Sequence, residues 1–340
     1  MEEKNILVTG GAGYIGSHAA LMLAKNNCNV VCIDNLSNGS PIAISRASDI
    51  AKKEIKFVKG DVSDESLLIS ILKENNIDAV MHFAGLKAVG ESNNFPIQYY
   101  ENNIGGSISL LKAMSEAKIY RLIFSSSATV YGLNKRMPLA EDYPINATNP
   151  YGQTKQMIEQ ILKDTSNSNS KWSIGILRYF NPIGAHQSGL IGEDPKGIPA
   201  NIVPFIMQVA LGKRDSLSIY GKDYQTKDGT GVRDFIHVLD LVEGHINALH
   251  YIFNNRGTSI WNLGSGRGYS VLDLVKVTEE VTGSAIKTDF TERRPGDVAI
   301  SLADTKKAHD DLGWSAKLGI YDMIKDSWRW QQLNPNGYED

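Results

Sequence analysis

The chain has 340 residues, 42% hydrophobic and 21% charged, with 35 Lys and Arg against 38 Asp and Glu for a formal net charge of −3. A chain of that length holds two domains, or one with a large lobe, and buries enough surface to need no disulfide or metal staple. The near-balanced charge gives no electrostatic case for nucleic acid or an anionic membrane as the main partner.

Asn5-Ile6-Leu7-Val8-Thr9 is a short apolar run closed by Gly10-Gly11, and a helical pattern follows from about Tyr14 to Asn26. The segment before that run, Met1-Glu2-Glu3-Lys4, has neither the basic start nor the apolar stretch of a signal peptide. No stretch approaches the ~18 apolar residues of a spanning helix, so a cytoplasmic protein is expected. Asn29–Asp34 reads as a second strand. Cys28 and Cys32, the two cysteines, read as buried free thiols of a reducing compartment, with no neighbouring ligands for a metal.

Lys56-Phe57-Val58, Ala79–Phe83, Arg121–Phe124 and Ile174–Arg178 continue the strand series. Helices are expected over Pro96–Ala117 and Tyr151–Thr165, the second signalled by Pro150. Continuous apolar strands alternating with helices predict an α/β fold, a doubly wound parallel Rossmann sheet. From Asn181 to Gly231 the chain turns rich in Gly, Pro and polar residues, which predicts a smaller, loop-rich C-terminal lobe. Strand and helix patterns return at Val232–His237, Leu239–Phe253 and Ser259–Gly264. The expected division is a Rossmann domain over 1–181, rejoined by about 236–262, with 182–340 forming mainly the second lobe.

Three segments carry candidate chemistry. Gly10, Gly13 and Gly16 join the first strand to the first helix. Glycines there permit a tight turn and let backbone N–H groups at a helix N-terminus approach a pyrophosphate. The triplet alone is also compatible with a ligand-free turn. Asp34 ends the second strand about 20 residues on, where a carboxylate accepts hydrogen bonds from an adenosine ribose and repels a 2′-phosphate, favouring NAD over NADP. An exposed strand-end Asp is the plainer alternative. Asp61 could reach the adenine end, or serve as a turn or cap.

Tyr151-Gly152-Gln153-Thr154-Lys155 places a phenol and an ammonium on one helix face. A phenol acting as a base near pH 7 needs its pKa lowered by ~3 units, roughly 4 kcal/mol. One ammonium at ~5 Å in an effective dielectric of ~20 supplies about 3 kcal/mol, and an oxidised nicotinamide would add to it. Taken alone, the pair could equally be a surface Tyr and Lys. Ser125–Ser127 follow the predicted fifth strand, on the sheet edge where ligands of open α/β sheets bind, although serine-rich strand ends are also common turns.

Together these residues resemble the extended short-chain dehydrogenase/reductase family, in its UDP-glucose 4-epimerase branch. The likeness runs through nearly the whole chain: Gly10–His18, His82–Ser92, Ser125–Gly132, Arg178–Pro182, Gly229–Asp234, Asn262–Gly264 and Arg293–Asp297. It implies that Tyr151 is the general base, Lys155 its electrostatic and ribose-binding partner, and Ser127 the hydroxyl beside the sugar 4′-oxygen. It places NAD along Gly10, Gly13, Tyr14, Ile15 and Gly16, with Asp34 and Asn35 on the ribose and Asp61 and Val62 on the adenine. Phe83, Ala84, Gly85, Lys87 and Asn102 are expected at the cofactor's middle, and Phe180 near the nicotinamide.

The resemblance also assigns the UDP-sugar to Asn181, Asn201, Ile202, Ser218, Tyr220, Arg233, Arg294 and Asp297. Arginine suits a diphosphate because its planar fork donates in pairs. The implied reaction inverts C4 of a UDP-hexose through a 4-keto sugar, with NAD regenerated each cycle. The two long helices resemble the family's homodimer interface. Ser301 aligns with a position of the sugar pocket where narrow family members carry Tyr, so UDP-GlcNAc and UDP-GalNAc are expected to be accepted alongside UDP-glucose and UDP-galactose.

Two rival readings share parts of this pattern. A nucleotide-sugar 4,6-dehydratase needs an Asp-Glu pair where this chain has Ala128 and Thr129. A non-catalytic NAD-sensing protein has no need to combine Tyr151, Lys155 and Ser127.

Overall fold

The computed structural model describes residues 3–294 and 296–339. Met1 and Glu2 of the N-terminal segment and Pro295 of the arginine-rich segment lie outside the described residues. The first half alternates β1 (Asn5–Thr9), α1 (Tyr14–Lys25), β2 (Asn29–Asp34), α2 (Pro41–Ala51), β3 (Ile55–Lys59), α3 (Glu65–Glu74) and β4 (Ala79–His82). Helix starts follow local chemistry. The Ser40 side chain accepts from Ile42 N ahead of Pro41, and the Asp64 side chain accepts from Leu67 N.

Next come α4 (Val89–Asn94), α5 (Pro96–Tyr99) and α6 (Gly106–Glu116), the last two joined by a π-helical stretch, Tyr100–Gly105. The sequence predicts one regular helix here. The widened turn coincides with Asn103, whose buried carboxamide leaves the helix to bond Leu86 and Thr154. Then β5 (Arg121–Ser127), α7 (Pro150–Ser168) and β6 (Ser173–Tyr179) follow. β5 runs past the apolar stretch through all three serines. Ser125, Ser126 and Ser127 pair with Leu177, Arg178 and Tyr179 of β6, so they belong to the strand and not to a turn after it.

After β6 come β7 (Asn181–Ile183), α8 (Ile202–Ala210), β8 (Leu217–Tyr220), β9 (Val232–His237), α9 (Val238–Asn254) and β10 (Gly257–Leu263). β10 pairs with β6 and completes a seven-stranded sheet in the order β10-β6-β5-β4-β1-β2-β3, every pair parallel. Its strands are buried on both faces. Ile6 and Val8 point into one apolar layer and Leu7 into the other; Met81 and Val80 alternate likewise. Cys28 and Cys32 are buried free thiols.

The chain ends with β11 (Gly268–Ser270), α10 (Val271–Thr282), β12 (Thr288–Thr291), β13 (Ile300–Ser301), α11 (Lys306–Leu312) and α12 (Ile320–Leu333). β9 is the hub of a second sheet, pairing with β7, β11 and β13, while β8 and β12 form a separate parallel pair. A third apolar core, including Ile206, Leu217, Phe235, Leu274 and Ile324, lies among these elements. The stretch predicted as loops therefore contains a helix. Pro204 sits in the first turn of α8, where a missing N–H costs nothing. None of the described helices is long and apolar enough to cross a membrane.

Candidate active site

β1 hydrogen-bonds to β2 on one side and β4 on the other, so the chain reverses direction across the sheet between β1 and β4. Ligand crevices of open α/β sheets lie at such a point, beyond the carboxyl ends of the strands. The loops after β1 and β4 touch there. Gly10 has φ +67°, and a Cβ on it would stand 2.6 Å from Ala84 N. A Cβ on Gly16 would stand 2.1 Å from Gly10 O, so neither position admits a side chain.

Gly13 ends the turn as the N-cap of α1. No side chain caps the helix and its first turn holds no acid. The free N–H groups of Tyr14, Ile15 and Gly16 and the positive helix end make a cradle that suits a pyrophosphate. The Tyr14 side chain has a different role: its phenol, raised well above the ordinary value by burial, donates to Gly184 O at 2.6 Å. That bond ties the cradle to the loop after β7.

Asp34 accepts from Ala12 N at 3.1 Å and Leu36 N at 2.8 Å, and burial raises its pKa. Asn35 Nδ2 donates to Asp61 Oδ2 at 2.7 Å, and Ser63 donates twice to Oδ1. Burial pushes the Asp61 carboxyl up, but the Ser63 and Asn35 donors outweigh it and hold the pKa low. Val62 is buried and closely faces Gly106. Asp34, Asn35, Asp61 and Val62 thus line one end of the crevice, a set that fits the diol and base of an adenosine.

Phe83 packs on His245 with ring centroids 5.0 Å apart, and Gly85 has φ +152°, where a Cβ would stand 3.1 Å from Asn103 Oδ1. Lys87 Nζ pairs with Glu193 Oε1 at 2.8 Å. Asn102 is half-buried, whereas its neighbour Asn103 is buried and holds the loop after β4 to α7.

Tyr151 and Lys155 leave the first two turns of α7, which starts with Asn149 accepting from Gly152 N ahead of Pro150. Tyr151 is 7% exposed, Lys155 5% and Ser127 7%, so all three side chains are shielded from bulk water. Lys155 Nζ donates to Ser125 O at 2.8 Å and lies 5.9 Å from the centre of the Tyr151 ring. Thr129 donates both its N–H and its hydroxyl to Ser127 Oγ, at 3.2 and 3.0 Å. That leaves the Ser127 proton free to be donated elsewhere.

From its spacing in the sequence, Lys155 is expected to pull the Tyr151 phenol down. In the protein alone the opposite holds: burial pushes the phenol up to about 12, against a side-chain interaction with Ser127 that lowers it. Burial also drives the Lys155 ammonium down to about 8. Burial thus disfavours the charged form of both groups, and a further positive charge beside them would favour the phenolate. Phe180 is buried in an apolar cluster with Val130, Tyr131, Leu139 and Ala303.

The expected sugar-nucleotide contacts fall in the second lobe, with β9 and β13 at its centre. Ser301 of β13 pairs in register with Arg233 of β9. Arg233 Nη1 donates to Val232 O and Val298 O, and Nη2 lies 3.6 Å from Asp297 Oδ1. Arg294 stacks on Tyr220 at 3.9 Å, while Ser218 is half-buried on the same strand, β8. Asn181 opens β7. Asn201 caps α8 ahead of Ile202, and its Nδ2 donates to Glu193 Oε1 at 2.7 Å.

Three organising residues went unassigned from sequence. Glu193 is shared by Lys87 and Asn201, linking the loop after β4 to α8. Buried Asp234 accepts from Ser265, Gly266 and Ala303 and locks β9, β13 and the turn after β10 together. Glu159 sits two turns beyond Tyr151 on the face it shares with Lys155, a spacing visible in the sequence. Among the described residues no group of three or more His, Cys, Asp and Glu gathers to hold a metal ion.

A Rossmann sheet with a glycine cradle, and a buried Tyr-Lys-Ser group at its carboxyl edge beside an arginine-bearing lobe, define a nucleotide-sugar-modifying enzyme of the short-chain dehydrogenase/reductase type. The family model described as GDP-mannose 4,6 dehydratase matches residues 7–327. The chain is 53% identical over 334 residues to a UDP-glucose 4-epimerase of Bacillus subtilis (strain 168), covering 98% of each. It superposes on the crystal structure of UDP-glucose 4-epimerase from Bifidobacterium longum in complex with NAD+ and UDP with a TM-score of 0.96 at 49% identity, covering 98% of this chain and 100% of that one. A UDP-glucose-4-epimerase from Stenotrophomonas maltophila with bound NAD and formylated UDP-arabinopyranose gives 0.96 at 45% identity, covering 98% and 99%. The chain belongs to the extended short-chain dehydrogenase/reductase family, in its UDP-glucose 4-epimerase branch.

Proposed function

We propose that Tyr151, Lys155 and Ser127 carry the chemistry of an NAD-dependent UDP-hexose 4-epimerase, an isomerase interconverting UDP-glucose and UDP-galactose through a 4-keto intermediate. The observation that carries this reading is the burial of all three at the carboxyl edge of the sheet, next to a glycine cradle that admits no side chain. NAD, when bound, would supply a hydride acceptor and donor, and a fixed positive charge while oxidised.

Gly10, Gly13, Tyr14, Ile15 and Gly16 hold its pyrophosphate through backbone N–H groups, with Asp34, Asn35, Asp61 and Val62 at the adenosine. Phe83, Ala84, Gly85, Lys87, Asn102 and Phe180 line the remainder. Tyr151 takes the 4′-hydroxyl proton as hydride leaves C4, and gives it back once the sugar has presented its other face. Lys155 stabilises the phenolate, and Ser127 donates to the 4′-oxygen. Arg233 and Arg294 hold the diphosphate, with Asn181, Asn201, Ile202, Ser218, Tyr220 and Asp297 around the nucleotide. Tight nucleotide contacts and few sugar contacts let the ring turn without release.

Ser301 leaves the volume of a phenol ring beside the sugar, so the N-acetylated pair UDP-GlcNAc and UDP-GalNAc is accepted too. A dehydratase would need carboxylic acids at positions 128 and 129, where Ala128 and Thr129 stand and Thr129 is committed to Ser127. In domain terms, 1–181 with about 236–262 forms the NAD-binding unit and 182–340 mainly the UDP-sugar lobe. The helical segments 96–117 and 151–165 carry exposed Ile97, Ile108 and Met157 and form a homodimer face. The enzyme works in the cytoplasm.

The test is turnover of UDP-galactose by purified protein with no NAD added. Turnover is expected, with Tyr151→Phe reducing kcat roughly 1,000-fold. A Tyr151→Phe protein that inverts the sugar at full speed refutes the assignment.

A further inference from the structure

Tyr151, Lys155 and Glu159 stand at successive i, i+4 positions of α7 and share one face. Glu159 is completely buried and pairs with Arg178, itself 2% exposed. Three donors converge on its carboxylate: Ser126 Oγ at 2.6 Å and Arg178 Nε at 2.9 Å on Oε1, and Arg178 Nη2 at 2.7 Å on Oε2. Ser126 adjoins Ser127 on β5, and Arg178 is its register partner on β6. The remaining Arg178 nitrogen, Nη1, donates to Tyr131 OH at 3.0 Å and Glu141 O at 3.1 Å. Tyr131 in turn donates to Asn262 of β10 at 2.7 Å. One carboxylate therefore ties α7 to β5 and β6 directly and to β10 through two relays.

Stability alone does not require such a pair, since apolar residues of similar volume commonly replace a buried ion pair at no loss. A two-point fork supplies direction instead, fixing both the slide and the roll of α7 against the sheet. The catalytic group depends on that placement. Lys155 reaches Ser125 O, and Tyr151 must meet the sugar oxygen that Ser127 also contacts. A misplacement of about 1 Å can cost on the order of 100-fold in rate.

We propose that the Glu159–Arg178 pair, with Ser126, is a positioning device that seats α7 so that Tyr151 and Lys155 meet Ser127. It acts on kcat and leaves ligand binding intact. The inference rests on the roles given to those three residues under the proposed function.

The test compares holoenzymes that have retained NAD and melt as single species. Glu159→Leu combined with Arg178→Met removes the charges together and keeps the volume. Its kcat for UDP-galactose is expected to fall at least about tenfold, with KM changed less than about threefold. Glu159→Asp keeps the charges balanced, folds more readily, and draws the carboxylate back from its donors; a loss of about three- to tenfold in kcat at unchanged KM is expected. A structural role alone would move the melting temperature and leave kcat of the folded holoenzyme at the parental value. Parental kcat in either variant, or a change confined to KM, overturns the proposal. Tyr151→Phe is measured beside them. If it is inactive while the ion-pair variants are fully active, only the positioning role fails; if it is fully active, the assignment of the chemistry fails with it.

Discussion

On the proposed roles the cofactor crevice and the substrate lobe each meet a diphosphate, and they do so by opposite means. The crevice uses backbone: an uncapped helix end and glycines packed so closely that a Cβ on Gly16 would stand 2.1 Å from Gly10 O. The lobe uses side-chain cations, with Arg233 one-fifth exposed beside Asp297 and Arg294 stacked on an exposed Tyr220. A backbone site is set by steric exclusion and holds its ligand in one pose. A side-chain site can adjust, which suits a substrate whose sugar must turn while its nucleotide stays.

The sharpest way to break that contrast is Gly16→Ala. The added methyl has nowhere to go, so bound NAD and activity should fall at least about 100-fold, read as nucleotide released from denatured protein. A variant that keeps its NAD would show that the cradle can yield after all. In the lobe, Arg233→Met should raise KM for UDP-galactose roughly 10- to 100-fold, the worth of one lost set of charge-assisted hydrogen bonds, with NAD content unchanged. Equal losses of both ligands would dissolve the distinction.

On the proposed roles Lys155 stands between the two ligands, and it makes a pH test. Its folded pKa is lowered to about 8 from 10.5 by burial. The unfolded chain thus binds the proton more strongly between those values, and the contribution of Lys155 to stability rises with pH across that window. It is complete above the unfolded value and lost as pH falls through the folded one. In NAD-stripped protein, wild type should gain roughly 2 kcal/mol on Lys155→Met between pH 7 and 9.5 by urea titration. The Tyr151 phenol, raised to about 12, acts with the opposite sign only above pH 10. A flat difference between the two proteins would place the ammonium in contact with water.

The smallest effect concerns the sugar side of the lobe. Ser301→Tyr should lower UDP-GlcNAc turnover at least about tenfold and leave UDP-galactose within about threefold. Unchanged UDP-GlcNAc turnover would remove Ser301 from the specificity of the site.

The cradle was legible because its rule is local. Glycine spacing, a strand before it and a helix after it, and Asp34 at the next strand end all lie within one βαβ stretch. The Tyr-Lys spacing was legible for the same reason. Its electrostatics were not, because the balance between burial and the ammonium depends on how deeply α7 is packed. α8 was hidden by the Gly- and Pro-rich texture around it. Asn103, Glu193 and Asp234 carried no local signal, since their partners lie on elements far along the chain.

Sequence by itself determined the strand and helix succession, the two-sided burial of the sheet, the glycine turn and the shared helix face of Tyr151 and Lys155. Each follows from periodicity or steric exclusion among neighbours a few residues apart. Only the tertiary structure decided that the serines lie within β5 and that Glu159 finds Arg178. It also decided that burial lifts the Tyr151 phenol, against the lowering expected from the Lys155 ammonium. Those outcomes rest on desolvation and on contacts between distant segments, which arise only once the whole chain has packed.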